Sequence, residues 1–145
     1  MTSETPLGSP CVAATPRMAT YTVLHIEDSP ANQRLVERIL AQRPAIELLT
    51  AGGGEAGLEL ARERGPDLVL LDLHLPDIPG EDVLRRLGEN PATAGIPVVV
   101  MSGGAFSGPA GDPRALGVRA YLAKPFRLTE LLDVVDGLLA GRDRP

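Results

Sequence analysis

The chain has 145 residues, a formal net charge of −5 and 43% hydrophobic residues. That length suits one domain with a core of its own, and the acidic balance argues against a nucleic-acid phosphate backbone as partner. The lone Cys11 excludes an internal disulfide framework, and no run reaches the roughly 20 apolar residues of a membrane span.

Residues 1–20 are rich in Thr, Ser, Pro, Gly and Ala and show no apolar period, which predicts a disordered tail. They lack the basic start and apolar block of a signal peptide, so the expected compartment is the cytoplasm. Met18 offers an alternative start. Tyr21 to Ile26 reads as the first strand and ends in Glu27-Asp28. Ser29-Pro30 is an N-cap followed by proline at the first helical position. The helix it opens runs to about Gln42, with Leu35, Val36, Ile39 and Leu40 on the inner face. Ile46 to Ala51 is the second strand. Gly52-Gly53-Gly54 turns into a second helix, from Glu55 to about Arg64, which Gly65-Pro66 stops.

Leu68-Val69-Leu70-Leu71 then leads into Asp72 and the loop Leu73-His74-Leu75-Pro76-Asp77-Ile78-Pro79-Gly80. An apolar run bounded by breakers predicts a strand buried on both faces, as in a helix-covered parallel sheet. A third helix is expected from Glu81 to about Leu87, with Val83, Leu84 and Leu87 inward. Ile96 to Met101 forms a fourth apolar strand, ending in Ser102. Between Gly103 and Gly117, the breakers Gly108, Pro109, Gly111 and Pro113 leave room for only a short helix. We expect that segment to be the most mobile part of the domain. Arg119 to Ala123 is the fifth strand, ending in Lys124-Pro125. The last helix spans Thr129 to about Ala140, with Leu128, Leu131, Leu132, Val135, Leu138 and Leu139 as its stripe. Strand and helix alternate throughout, which predicts an α/β fold with a parallel five-stranded sheet and right-handed crossovers. The domain is expected to cover residues 21–140, with residues 141–145 as a short tail and no second domain.

In such a sheet the strand ends Glu27-Asp28, Asp72, Ser102 and Lys124 share one edge, where ligands bind. Crowded carboxylates repel, each pair costing on the order of 4 kcal/mol at 4 Å and an effective dielectric of about 20. A divalent cation relieves this, and an all-oxygen set suits Mg²⁺. Lys124 adds a point charge for an anion and Ser102 a hydroxyl. Together these groups make a phosphoryl-transfer site in which an aspartate can be the nucleophile.

These motifs, in this order, resemble a two-component response-regulator receiver domain. They are Glu27-Asp28, Leu70-Leu71-Asp72-Leu73 with Leu75-Pro76 and Gly80, Ser102, and Tyr121-Leu122-Ala123-Lys124-Pro125-Phe126. The resemblance is closest to receivers of hybrid sensor kinases, here as a single stand-alone domain. It implies a flavodoxin-like, doubly wound sheet of strand order 2-1-3-4-5. It implies Asp72 as phosphoacceptor, and Mg²⁺ held by Glu27, Asp28, Asp72 and the backbone carbonyl of His74. Ser102 and Lys124 would bind the phosphate, and Tyr121 would be the aromatic switch residue. Pro125 would follow a cis peptide bond. The implied partners are a cognate histidine kinase or phosphotransfer protein and an unknown downstream protein, with neither nucleic acid nor membrane. Magnesium-dependent phosphorylation of Asp72 would switch a protein-interaction surface, a signalling event rather than enzyme turnover.

Rival readings leave more unexplained. Gly52-Gly53-Gly54-Glu55-Ala56-Gly57 matches G-x-G-x-x-G between a strand and a helix. A dinucleotide site would give Glu27-Asp28, Ser102 and Lys124 no role, so the glycines read as a loose turn. His25 and His74 have no ligand-spaced partner for zinc. A pseudo-receiver that is never phosphorylated has no need of the complete set of site positions. A magnesium-dependent phosphatase with an aspartyl intermediate usually needs an acid two residues past the nucleophile, where this chain has His74.

Overall fold

The computed structural model describes residues 21–103 and 117–141. The expectations for the tail of residues 1–20, for residues 104–116 and for residues 142–145 lie outside the described residues. One parallel sheet contains β1 (Tyr21–Ile26), β2 (Ile46–Ala51), β3 (Leu68–Asp72), β4 (Val98–Ser102) and β5 (Val118–Ala123), in the order β2-β1-β3-β4-β5. Four described helices cover it: α1 (Pro30–Leu40), α2 (Gly54–Arg64), α3 (Gly80–Glu89) and α4 (Leu128–Ala140). This is the flavodoxin-like α/β arrangement read from the sequence.

Burial on both faces explains the unbroken apolar runs of β3 and β4, in which every residue is buried. Alternation along the strands divides the interior into two cores. Leu24, Ile26, Val69, Leu71, Val98 and Val100 pack with α2 and α3. Val23, Leu68, Leu70, Val99, Met101 and Leu122 pack with α1 and α4. At roughly 25 cal/mol per Å² of apolar surface buried, these layers are the main favourable contribution to folding.

The helix ends follow local chemistry. The Ser29 hydroxyl accepts the Asn32 amide at 3.4 Å, with Pro30 at the first helical position. Gly65 ends α2 in the left-handed region at φ 54°, its amide donating to the Ala61 carbonyl at 3.1 Å. Glu130 accepts the Arg127 amide at the start of α4.

Three expectations need correction. Leu35 is exposed, because Val36, Ile39 and Leu40 already fill the inward stripe of α1 and Leu35 falls on its flank. Leu128 is also exposed, at the first turn of α4, ahead of the buried Leu131 and Leu132. The glycines after β2 form no loose turn. A Cβ on Gly54 would lie 2.5 Å from Ile78 Cγ1, and one on Gly57 would lie 2.4 Å from Ile26 Cδ1. Glycine is what lets α2 settle against β1 and the loop after β3.

Candidate functional site

Register brings the polar residues together. Ile26 pairs with Leu71, and Asp72 pairs with Met101, so Glu27 emerges beside Asp72 at the carboxyl edge. Ser102 pairs with Ala123, and the Lys124 amide donates to the Ser102 carbonyl at 2.8 Å. One carboxylate oxygen from each of Glu27, Asp28 and Asp72 lies within 4.8 Å of the others. Glu27 and Asp72 are buried, whereas Asp28 is exposed. The Lys124 ammonium sits 3.2 Å from Glu27 Oε1 and 3.4 Å from Asp72 Oδ2.

Both buried carboxylates are held. Glu27 Oε2 accepts the Ser29 amide at 3.1 Å, and the Gln33 side chain donates to the Glu27 carbonyl at 2.6 Å. Asp72 Oδ1 accepts the His74 amide at 3.1 Å, which draws the start of the following loop back over the strand end. Burial raises the Glu27 carboxyl above its usual range, and Asp72 beside it adds to the rise. The Ser29 amide and Lys124 oppose that shift. Under this pair lies His25, fully buried, its Nε2 3.9 Å from Glu27 Oε1. Burial pushes the imidazole down to about 4, with the Lys124 charge acting in the same direction and Asp72 against it.

Three clustered carboxylates facing one ammonium make a site short of positive charge. The all-oxygen donor set and the raised Glu27 carboxyl fit a hard divalent cation such as Mg²⁺. A cleft of about 590 Å³ opens beside the cluster, lined by Asp28, His74, Asp77, Glu81 and Ser102 among others. His74 is exposed in this cleft, and Ser102 is buried at its wall. Tyr121 stands outward on the edge strand β5 with 39% of its surface exposed. The Lys124–Pro125 bond is cis.

The sequence reading missed Asp77 and Gln33. Asp77 accepts the Gly54 and Glu55 amides, each at 2.9 Å, and so caps α2 from the loop that follows β3. Those amides hold the Asp77 carboxyl below its usual range. A signal was present: α2 starts at a glycine N-cap with no capping side chain of its own, so another residue must take the orphan amides.

Residues 23–136 match the response regulator receiver domain family. The polar-differentiation response regulator DivK of Brucella ovis is 31% identical over 120 residues, covering 83% of this chain and 97% of that protein. The phosphorylated cyanobacterial phytochrome response regulator RcpA is 30% identical with a TM-score of 0.66, over 83% of this chain and 91% of that one. The same fold recurs, at 24% identity and a TM-score of 0.75, in the receiver domain of sensor histidine kinase PA1611 from Pseudomonas aeruginosa PAO1. That match covers 84% of this chain and 99% of the other, a structure with magnesium coordinated in its active-site cleft. Family match, strand order and shared fold lead to one conclusion: this chain belongs to the response-regulator receiver domains of two-component signalling.

Proposed function

We propose that the protein is the phosphoacceptor of a histidine-to-aspartate relay, with Asp72 as the acceptor. The carrying observation is the position of Asp72 at the end of the central strand β3. There its carboxylate meets Lys124 at 3.4 Å and lies in the cluster with Glu27 and Asp28. A carboxylate oxygen of Asp72 attacks the phosphorus of a phosphohistidine. The O–P bond forms as the P–N bond breaks, and the imidazole leaves with a proton. Receiver domains serve histidine kinases or phosphotransfer proteins and act on downstream proteins. We assign this chain the same classes of partner and a cytoplasmic location. Among the described residues no helix is long and apolar enough to cross a membrane.

Glu27, Asp28, Asp72 and the His74 backbone carbonyl would hold Mg²⁺, which supplies charge neutralisation for the transferring phosphoryl oxygens. RcpA, named in its phosphorylated form, and the magnesium-bound PA1611 receiver support this reading. Lys124 already bridges Glu27 and Asp72, so it stands ready to pair with a phosphoryl group on Asp72. Ser102 would close onto that group, and Tyr121, now outward, would turn in as it does so. The changed surface is the output.

Incubation with a small phosphodonor and Mg²⁺, read by intact mass, tests the assignment. One phosphoryl adduct is expected on the parent and none on Asp72→Asn. Equal labelling of the variant would place the acceptor elsewhere, and absence of labelling in the parent would favour a module that is never phosphorylated.

A further inference from the structure

We propose that His25 is a positioning residue for Glu27, holding its carboxylate by a hydrogen bond when Glu27 takes part in binding a divalent cation. The inference rests on the metal role given to Glu27 above.

His25 and Glu27 are two residues apart at the end of β1, so their side chains share one face of the sheet. Apart from Thr50, its register partner on β2, the residues next to His25 on that face are apolar: Val23 two residues earlier and Leu70, its register partner on β3, both belong to the core under α1 and α4. A valine or leucine would satisfy the packing there. Instead the chain carries an imidazole with no exposed surface, and neither Nδ1 nor Nε2 has a hydrogen-bond partner. Buried polar atoms without partners are rare and call for a reason. Glu27 Oε1 lies 3.9 Å from Nε2. The remaining gap to a hydrogen bond of about 3.0 Å is within reach of a side-chain torsion.

Lys124 competes for the same carboxylate oxygen. Glu27 Oε1 leans to the Lys124 ammonium at 3.2 Å, the nearest positive charge. A bound cation would supply that charge in place of Lys124 and leave the carboxylate free to accept from His25. Carboxylates that ligate metals are in turn hydrogen-bonded by residues behind them, and those supports govern affinity. Among the described residues His25 is the buried donor with unspent capacity beside this cluster. An imidazole N–H can be donated to the Glu27 carboxylate while the other carboxylate lone pairs stay free for the cation.

Calorimetric titration of the metal-free protein with Mg²⁺ tests this, using the parent, His25→Leu and His25→Gln, with Asp28→Asn marking the site. Melting curves in chelator accompany each variant. His25→Leu is expected to melt above the parent in chelator, because an unpartnered imidazole has gone, yet to bind Mg²⁺ roughly tenfold or more weakly. His25→Gln, whose amide replaces the donor, should recover most of that affinity. If His25→Leu does not fold, His25→Met replaces it as the donor-free variant, with the same outcomes read against His25→Gln. Parent-like affinity in His25→Leu overturns the positioning role and leaves the metal site intact. Equal weakness in the leucine and glutamine variants also overturns it, since the donor would then be irrelevant. Absence of Mg²⁺ binding in the parent, or binding unchanged by Asp28→Asn, overturns the metal reading and this inference with it.

Discussion

The two faces of the sheet reach the same edge by opposite means. On the α1 and α4 face the strands finish in ionisable side chains, His25 on β1 with Glu27 just beyond it, and Asp72 on β3, with Lys124 just beyond β5. On the α2 and α3 face, glycines let helix and loop backbone come close: Gly54 against Ile78, Gly57 against Ile26 and Gly80 against Leu73. The first face stores unbalanced charge, which only a partner group or ion can settle. The second face is closed mainly by contact, with the Asp77 carboxylate capping α2, and it fixes the loop from Leu73 to Pro79 that walls the cleft. Ser102 shares the alternation of Val98 and Val100 and so comes to the site from this second face. A phosphoryl group on Asp72 attracting Ser102 would therefore couple the two faces.

The contact face can be broken by one methyl group. A Cβ on Gly80 would stand 2.6 Å from the Leu73 Cα, and backbone cannot step aside as a side chain tip can. Gly80→Ala is expected to cost about 1–3 kcal/mol from overpacking, against at most about 1 kcal/mol regained from helix propensity. Gly88, in the same helix, has nothing within 4 Å of its Cβ position. Gly88→Ala should therefore stabilise by roughly 0.5–1 kcal/mol. Urea unfolding of both variants checks the pair, and equal effects would show that close approach is not what Gly80 supplies.

The charged face predicts a trade instead. Glu27→Gln removes a carboxylate whose ionisation is opposed by burial and by Asp72. In chelator the variant should melt above the parent. In Mg²⁺ it should lose that advantage, with cation affinity reduced roughly tenfold or more. Melting curves with and without Mg²⁺ measure both halves. A variant less stable than the parent under both conditions would mean that Glu27 is held by its hydrogen bonds more strongly than it is strained by its charge.

The residues of the charged face were legible in the sequence because their cues are local. An apolar run that ends in Asp72, or an acidic pair after Ile26, announces a strand end, and parallel order collects such ends on one edge. The contact face was illegible because its cues are long-range. Gly54 is needed for Ile78 and Val83, and Gly57 for Ile26, and nothing near the glycines in sequence says so. Asp77 lies 23 residues from the amide of Gly54 that it accepts. The exposure of Leu35 depends on which residues of α1 the sheet covers, a fact of packing rather than of periodicity. The missing partner of His25 is a property of the folded interior, since its sequence neighbours show an ordinary buried strand.

The smallest expected effect belongs to the polar tie on the contact face. Asp77 gives both carboxylate oxygens to the amides of Gly54 and Glu55, which ties the loop after the acceptor strand to the start of α2. A carboxylate suits the positive end of a helix, and the amides hold its carboxyl below the ordinary value of 3.8. The sign follows from that direction. A group whose folded value is depressed stabilises the fold above its unfolded value and loses that contribution as pH falls through the folded one. Asp77→Asn keeps one acceptor oxygen, loses the charge, and turns an NH₂ toward an amide it cannot accept from. The variant should be slightly less stable than the parent at neutral pH, by less than Gly80→Ala. Urea midpoints measured from about pH 7 to about pH 2.5 should then converge only below about 3.8, the ordinary value for an aspartate carboxyl. Amide exchange at Gly54 and Glu55 should be faster in the variant at neutral pH. A difference that persists unchanged to the acid end would assign the loss to hydrogen-bond geometry rather than to charge. No change in exchange at either amide would separate the Asp77 loop from α2 altogether.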